Sequence, residues 1–590
     1  MKKQHFIYIL GCLLALSAAC TSPQEDNSPA ATDRFDNIWK FRAGEGKDSL
    51  WKNSDYNDQH WVELTSAKPL KEQNANLDNG FGWYRKRVNL SDELLQAAEK
   101  KGGIVLRIGK IGACDEVYFN GVLVGKTGEF PPDYRGYYAE ERNYFVDKKH
   151  LNLSGSNLIA VKFSEGWGVG GFLEDAKLSI SSAETNDKLT FKVKVNASDY
   201  IFLSPNPVSI TVKLENNNAW AVDGILLVKL TTDDYQFVKT DSIAVKIKHK
   251  SSVAQTFSYE EPQPGFYRYT VQFKRNGAVV LEKKFNVGFE PEKINAPIDA
   301  QADFKAFWDN NLKELAKVAP QYKLIPQPEY SQKDYNVYLV EMRSFGNELI
   351  RGYYAQPKRE GKFPVIVEYM GYGAPAYVPN AGGNWDGFAY FVLSVRGQAL
   401  NLPYNRFGVW LFYGLESKEN YYYRGAFLDV VRALDFVCSR PEIDSKKIAV
   451  RGSSQGGALS FVAAALDKRV KAAAPDIPFL SDYPNYFKIT SWPGIGFGQY
   501  IEQNPGATWE DIYTLLSYFD IKNLAQWIEC PLIMGVGVQD DVCPPHIKFA
   551  AYNQVKSEKR QMSFPEHGHS VGGVFHETAT LFIREKLNVE

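Results

Sequence analysis

The sequence predicts a multidomain chain, all-β in its N-terminal half and built on a parallel α/β sheet in its C-terminal half. Three observations carry this reading. Short alternating apolar runs separated by turn residues fill residues 34–288. From about residue 292 helical periodicities alternate with short apolar runs rich in Val and Ile, as a parallel sheet with crossover helices requires. A Gly-x-Ser-x-Gly sequence stands where one such apolar run passes into a helix-forming one.

The chain has 590 residues, enough for three to five domains at roughly 100–200 residues each. Hydrophobic residues make up 44% and charged residues 23%, ordinary values for a folded protein. Aromatics reach 14%, which fits β-rich modules and sugar-binding surfaces alike. The 68 basic and 69 acidic residues leave a net charge of −1 with no basic stripe, which argues against a nucleic-acid partner.

Residues 1–19 read as a signal peptide: Lys2 and Lys3 precede a short apolar run ending in Ser17, Ala18 and Ala19. Cys20 follows directly and resembles a bacterial lipobox, which implies lipidation of Cys20. Ser17 departs from the commoner aliphatic residue, and plain secretion is the alternative. Residues 20–33 form a polar tether. The expected location is therefore a bacterial membrane, outer rather than inner, with the protein facing the periplasm or the cell surface, held through the lipid alone. Cys114, Cys438, Cys530 and Cys543 are scattered and show no metal-ligand spacing.

Residues 34–185 read as the first β module. Alternating runs at 104–108, 116–119 and 158–163 are punctuated by Asn120-Gly121, a hairpin signal. The phrases at 80–86, 115–121 and 166–171 resemble the jelly-roll, galactose-binding-like domain at the N-terminus of β-galactosidases and β-glucuronidases. That resemblance implies a sandwich that either packs beside a catalytic domain or binds sugar. Residues 186–290 alternate at 189–195, 208–214 and 267–273, with the spacing of an immunoglobulin-like sandwich. No chemistry is evident there, and the segment reads as a spacer.

In residues 291–590 the helical patterns cover 304–315, 424–438 and 575–587, and the apolar strands cover 363–369, 390–395, 448–450 and 531–538. Gly452-Ser453-Ser454-Gln455-Gly456 follows the strand ending at Val450 and precedes a helix-forming run. This strand–turn–helix setting makes Ser454 a candidate nucleophile of an α/β-hydrolase domain. A serine hydroxyl needs a base to accept its proton, and the base needs an orienting carboxylate. In this fold the acid and then the His follow the Ser in the chain. Asp540 and Asp541 both lie just past the strand 531–538. Of the later histidines, His546 follows the acid closely and His576 falls in the last helical pattern, which leaves His567 and His569 in a loop.

Four phrases in this region resemble the acetyl xylan esterase and cephalosporin-C deacetylase family of carbohydrate esterases. Arg396-Gly397-Gln398 resembles its Arg-Gly-Gln motif, and Gly452–Gly457 its Gly-x-Ser-Gln-Gly-Gly elbow. Asp540 with Cys543-Pro544-Pro545 resembles its acid loop, and Gly568-His569 its terminal His motif. The resemblance selects Asp540 and His569 as partners of Ser454. It also implies that the backbone N–H groups of Tyr372 and Gln455 form an oxyanion hole, with Arg396 and Gln398 as supports. Two positions depart from the family pattern: Met370 stands for a His in the oxyanion loop, and Ser570 for a Glu after His569. The family often assembles compact hexamers; with two added β modules the resemblance leaves that assembly open here, an oligomer being one expectation.

The expected activity is removal of acetyl groups from poly- or oligosaccharides or small acetyl esters through an acyl-enzyme, with no metal or organic cofactor. Trp385, Phe388, Tyr404, Phe479 and Trp492 are candidate walls of an acyl pocket. Two other readings stand beside it. A prolyl-oligopeptidase-like peptidase shares the elbow, although its propeller repeats are not seen. A non-catalytic glycan-binding lipoprotein would have no need of all three residues.

Overall fold

A computed structural model describes residues 31–589, except 46, 78–79, 113, 131–140, 165–170, 174–177, 185–188, 205, 218–221, 249, 261–262, 276–277, 380 and 382–385. The signal peptide, Cys20, Trp385 and the glycine-rich phrase at 166–170 lie outside the described residues. Among the described residues no helix is long and apolar enough to cross a membrane.

The first module holds two antiparallel sheets. A six-stranded sheet runs in the order Val62–Thr65, Ile38–Ala43, Phe81–Val88, Asn157–Ser164, Cys114–Phe119, Val122–Thr127. In the second sheet Gly102–Gly112 pairs with Ser179–Glu184, Gly171–Leu173 and Glu141–Asp147, and Thr32–Arg34 lies at its edge. Ile104, Leu106, Val146 and Ile180 of this sheet share one core with Tyr84, Val117, Val161 and Phe163 of the other. Asn120 and Gly121 both take positive φ, 48° and 86°, and form the expected two-residue hairpin turn.

The second sandwich packs a three-stranded sheet (Leu189–Val195, Val208–Asn216, Ser251–Tyr259) and a five-stranded sheet. The latter runs Ile201–Phe202, Ala278–Phe289, Gly265–Arg275, Val222–Thr232, Phe237–Ile247. Alternation decides the inner faces: Val208, Ile210, Val212 and Leu214 are buried while the residues between them are less so. This sandwich and the α/β domain form one compact unit over residues 190–215 and 222–590.

The α/β domain is built on one nine-stranded sheet. Its strands are β1 (Lys323–Pro326), β2 (Tyr335–Arg343), β3 (Leu349–Pro357), β4 (Phe363–Tyr369), β5 (Ala389–Ser394), β6 (Ile443–Ser453), β7 (Val470–Asp476), β8 (Leu532–Gly537) and β9 (Lys559–Phe564). The order is β1-β2-β3-β5-β4-β6-β7-β8-β9. β1 to β3 and the β3–β5 pair are antiparallel, and every later pairing is parallel. This is the sheet of an α/β-hydrolase-type domain. The antiparallel edge was not read from the sequence, although Tyr335, Val337 and Met342 follow a buried, alternating pattern that could have shown it.

Five helices position the site: α1 (Phe304–Ala316), α2 (Tyr422–Cys438), α3 (Gln455–Leu466), α4 (Pro545–Tyr552) and α5 (Gly573–Leu587). Successive side chains of β4 face opposite sides of the sheet. Ile366 packs on the α5 side with Phe575, Phe582 and Ile583. Tyr369 lies on the α2 side, where its hydroxyl approaches the Val430 carbonyl at 3.5 Å. Helix α2 is packed on more than one face. Nearly its whole circumference is buried, because α1 roofs it: Trp308 stacks on Phe427, and Arg432 donates to the Leu315 carbonyl.

Candidate active site

Ser454 occupies the turn between β6 and α3 with φ 59° and ψ −118°, outside the basins that side-chain-bearing residues prefer. The turn is held on both sides: the Ser454 N–H donates to the Asp476 carbonyl of β7, and its own carbonyl accepts from Ala458 and Phe479. The surrounding glycines answer a packing demand. A Cβ on Gly456 would sit 1.9 Å from the Tyr369 carbonyl oxygen of β4, and one on Gly457 2.5 Å from that of Asp476. Without side chains at these positions α3 can start directly against the two central strands.

β8 and β9 each end in a loop at the same edge of the sheet, and those loops supply the other two groups. Asp540 stands just past β8 and His569 between β9 and α5. His569 Nε2 lies 2.9 Å from Ser454 Oγ, and His569 Nδ1 lies 3.0 and 2.9 Å from the two Asp540 oxygens. Asp540 is fully buried, and burial alone would raise its pKa. The charges of His569 and Lys548 outweigh burial and hold the carboxyl down at about 2. Asp540 is thus ionised, Nδ1 carries the donated proton, and Nε2 is left to accept from the serine hydroxyl.

The geometry brings together the two residues that the family resemblance selected and sets their neighbours apart. Both His569 Nδ1 contacts go to Asp540, while Asp541 is pushed up to about 6 by burial and by the neighbouring Asp540. His567 Nδ1 instead meets Ser570 Oγ at 3.2 Å, and His576 faces Arg451. His546 bonds Asp233 of the second sandwich.

The loop after β4 runs beside the elbow: a Cβ on Gly371 would lie 3.7 Å from the Ser453 carbonyl oxygen. Gln398 and Gln455 exchange two amide hydrogen bonds at 3.1 Å. Gln398 Oε1 also accepts from the Gly373 N–H, and Gln455 Nε2 donates to the Met370 carbonyl. The pair therefore ties the segment around Tyr372 to the first residue of α3, whose leading N–H groups have no intrahelical acceptor. Arg396 stands one step further out, bonding Asp429 of α2 through Nε at 2.9 Å and Nη2 at 2.7 Å. This is the buried partner a buried Arg requires.

Of the expected wall aromatics, Phe479 stacks on Trp492 with ring centroids 5.3 Å apart, and Trp492 meets Tyr372 at 6.4 Å. Trp410, which the sequence reading passed over, packs edge-on against Tyr372 at 5.1 Å. Phe388 is not a wall residue: it is completely buried in the core under α5. Tyr404 is 64% exposed and lies under the Arg351 guanidinium. One residue of the acid loop and one of α4 were also missed. Lys548 Nζ meets Asp540 Oδ2 at 2.6 Å, and Gln539 bonds the second sandwich. A lone Lys in the apolar run Ile547-Lys548-Phe549-Ala550 was the available signal for a buried partner. Among the described residues no three His, Cys, Asp or Glu side chains cluster as a metal site would require.

A hydroxyl, a carboxylate and an imidazole, in this chain order and on the loops of an α/β-hydrolase-type sheet, fit a carboxylic-ester hydrolase. The chain belongs to the acetyl xylan esterase (AXE1) family, whose model matches residues 292–587. It is 28% identical over 314 residues to the acetyl esterase Axe7A of Xylanibacter ruminicola, covering 51% of this chain and 71% of that protein. Two solved structures are also similar. The acetyl xylan esterase 1 of Thermoanaerobacterium sp. JW/SL YS485 is 30% identical over 50% of this chain and 97% of its own, with a TM-score of 0.47. The acetyl xylan esterase of Paenibacillus sp. R4 is 33% identical over 50% and 98%, with a TM-score of 0.47.

Proposed function

We propose that the chain removes acetyl groups from acetylated poly- or oligosaccharides, with Ser454 as nucleophile, His569 as general base and acid, and Asp540 as the orienting carboxylate. The observation that carries this reading is the continuous path Ser454 Oγ, His569 Nε2, His569 Nδ1, Asp540, each step within 3.0 Å. Ser454 Oγ attacks the acetyl carbonyl carbon while its proton passes to His569 Nε2. The C=O electron pair moves to oxygen, and the negative charge is met by the backbone N–H groups of Tyr372 and Gln455. The intermediate collapses, the C–O bond to the sugar breaks, and His569 returns the proton to the departing sugar oxygen. Water then attacks acetyl-Ser454, again giving its proton to His569, and acetate leaves as the Ser454 hydroxyl is restored.

Tyr372, Trp492 and Phe479 form an aromatic wall suited to a short acyl group. Cys20 is the proposed lipid anchor, which places the enzyme at a bacterial membrane facing the periplasm or exterior. The first β module is a proposed contact for glycan, on the strength of its sequence resemblance to sugar-binding modules. The test is acetate release from acetylated xylan, acetylated pectin and acetylated xylose by wild type and Ser454→Ala. Release by wild type alone is expected. Equal release by both proteins, or none by either, refutes the reading.

A further inference from the structure

Asp540 and His569 sit on two different loops, and neither loop is held by regular secondary structure at those residues. Their separation depends on what ties the loops together. Gln539, the residue before Asp540, provides most of that tie. Its backbone N–H donates to the His567 carbonyl at 2.8 Å, and its Nε2 donates to the Pro565 carbonyl at 2.6 Å. Both acceptors belong to the loop that carries His569.

The same amide reaches out of the α/β domain. The backbone N–H of Asn286, on the sandwich strand Ala278–Phe289, donates to Gln539 Oε1 at 2.6 Å. Gln539 Nε2 donates back to the Asn286 carbonyl at 3.1 Å, so the side-chain amide makes the two bonds that a neighbouring strand would make. Asn286 Nδ2 adds a bond to the Val538 carbonyl at 3.2 Å. Two further ties flank this one. The Tyr200 hydroxyl donates to Glu566 in the His569 loop, and His546 Nδ1 meets Asp233 Oδ2 at 2.8 Å beyond the acid.

Resting on the esterase reading above, we infer that the second sandwich is a working part of the catalytic unit, with Gln539 and Asn286 as positioning residues that set the Asp540–His569 contact. A spacer would need no bond to either loop, whereas this sandwich bonds both. The effect works through distance: a displacement of about 1 Å in reacting geometry costs on the order of 10²-fold in rate. Gln539 touches no reacting atom, so its loss should lower turnover without weakening the binding of substrate.

The test uses the full chain and a small acetyl ester. Gln539→Met keeps the side-chain volume and removes every side-chain hydrogen bond, leaving the backbone bond to His567. Its kcat is expected to fall roughly 10-fold or more with KM within about 2-fold, and labelling of Ser454 by an organophosphonate should slow in parallel. Asn286→Ala keeps the backbone pair and loses only the bond to Val538, so it should fall roughly 3-fold in kcat, in the same sense. End-point phosphonate titration counts the folded sites. A Gln539→Met protein with wild-type kcat per titrated site overturns the inference, as does a loss confined to KM. If Gln539→Met does not fold, Asn286→Ala decides: unchanged kcat per site overturns the inference. Failure of the esterase reading looks different, because wild type itself would then release no acetate.

Discussion

Lys548 Nζ lies 2.6 Å from Asp540 Oδ2, and both side chains are wholly buried. The carboxylate that meets His569 is therefore also paired with a buried cation. Its other oxygen accepts from the backbone N–H groups of Val542 and Cys543.

This sharing predicts how the enzyme responds to acid. The folded value of Asp540, about 2, lies below its ordinary 3.8. A depressed carboxyl contributes stability that is complete above its ordinary value and is lost as pH falls through the folded one. In Lys548→Met the carboxyl should titrate at higher pH, so acid unfolding should begin at higher pH than in wild type. Because the change leaves a buried charge with one partner fewer, it should cost about 3 kcal/mol at neutral pH. Urea unfolding at a series of pH values measures both effects, and superimposable curves would refute them.

The strained turn at the nucleophile makes an opposite prediction for stability. Ser454 holds φ 59°, which glycine adopts without strain. Ser454→Gly should abolish esterase activity and raise stability by about 1 kcal/mol, the lower end of the usual cost of such a conformation. Ser454→Ala should abolish activity with no such gain, since alanine keeps the Cβ. Melting temperatures of the three proteins check the ranking.

Arg396 and Asp429 should not tolerate the conservative exchange. The guanidinium bonds Asp429 through two nitrogens, and Asp429 also accepts from the Arg396 backbone N–H. A lysine cannot reproduce the planar fork. Arg396→Lys should destabilise the protein by about 2 kcal/mol, the loss of one hydrogen bond to a charged group. It should also lower kcat, because the Arg396 carbonyl accepts from Tyr422, whose hydroxyl accepts from Gln398. Denaturant midpoints and kcat measured together test this; a loss of stability with unchanged kcat would separate Arg396 from the oxyanion loop.

The contact between His546 and Asp233 predicts an alkaline limit. Burial would lower His546, but its bond to Asp233 and the charges of Asp482 and Asp234 outweigh burial and hold it above its ordinary 6.5. Stability from a raised histidine is fully present below the ordinary value and is lost as pH rises through the folded one. The urea midpoint of wild type should therefore fall as pH rises above the ordinary histidine value and through the higher folded one. In Asp233→Asn most of that fall should disappear. An equal fall in both proteins would mean that the pair contributes nothing to the pH dependence.

Much of the active site could be read along the chain because it is written in short, local patterns. Gly452, Gly456 and Gly457 are demanded by backbones that approach within a bond length or two of where a Cβ would stand, so the elbow leaves a fixed signature. Asp540 and His569 stood beside rivals, Asp541 and His567, that local pattern alone did not separate. The rivals differ only in where their side chains end up, and that is set by the path of two loops.

The sequence by itself set out the order of the β and α/β segments, the candidate nucleophile Ser454 and, through the family resemblance, Asp540 and His569 as its candidate partners. These rest on periodicity and on the steric needs of one turn, which involve neighbours in the chain. The tertiary structure alone decided what holds them. Gln398 meets Gln455 across 57 positions, and Asn286 meets Gln539 across 253. Lys548 reaches Asp540 only because α4 folds back under its own loop. The two amide contacts are fixed by the packing of segments that are remote in sequence, and no spacing along the chain encodes them.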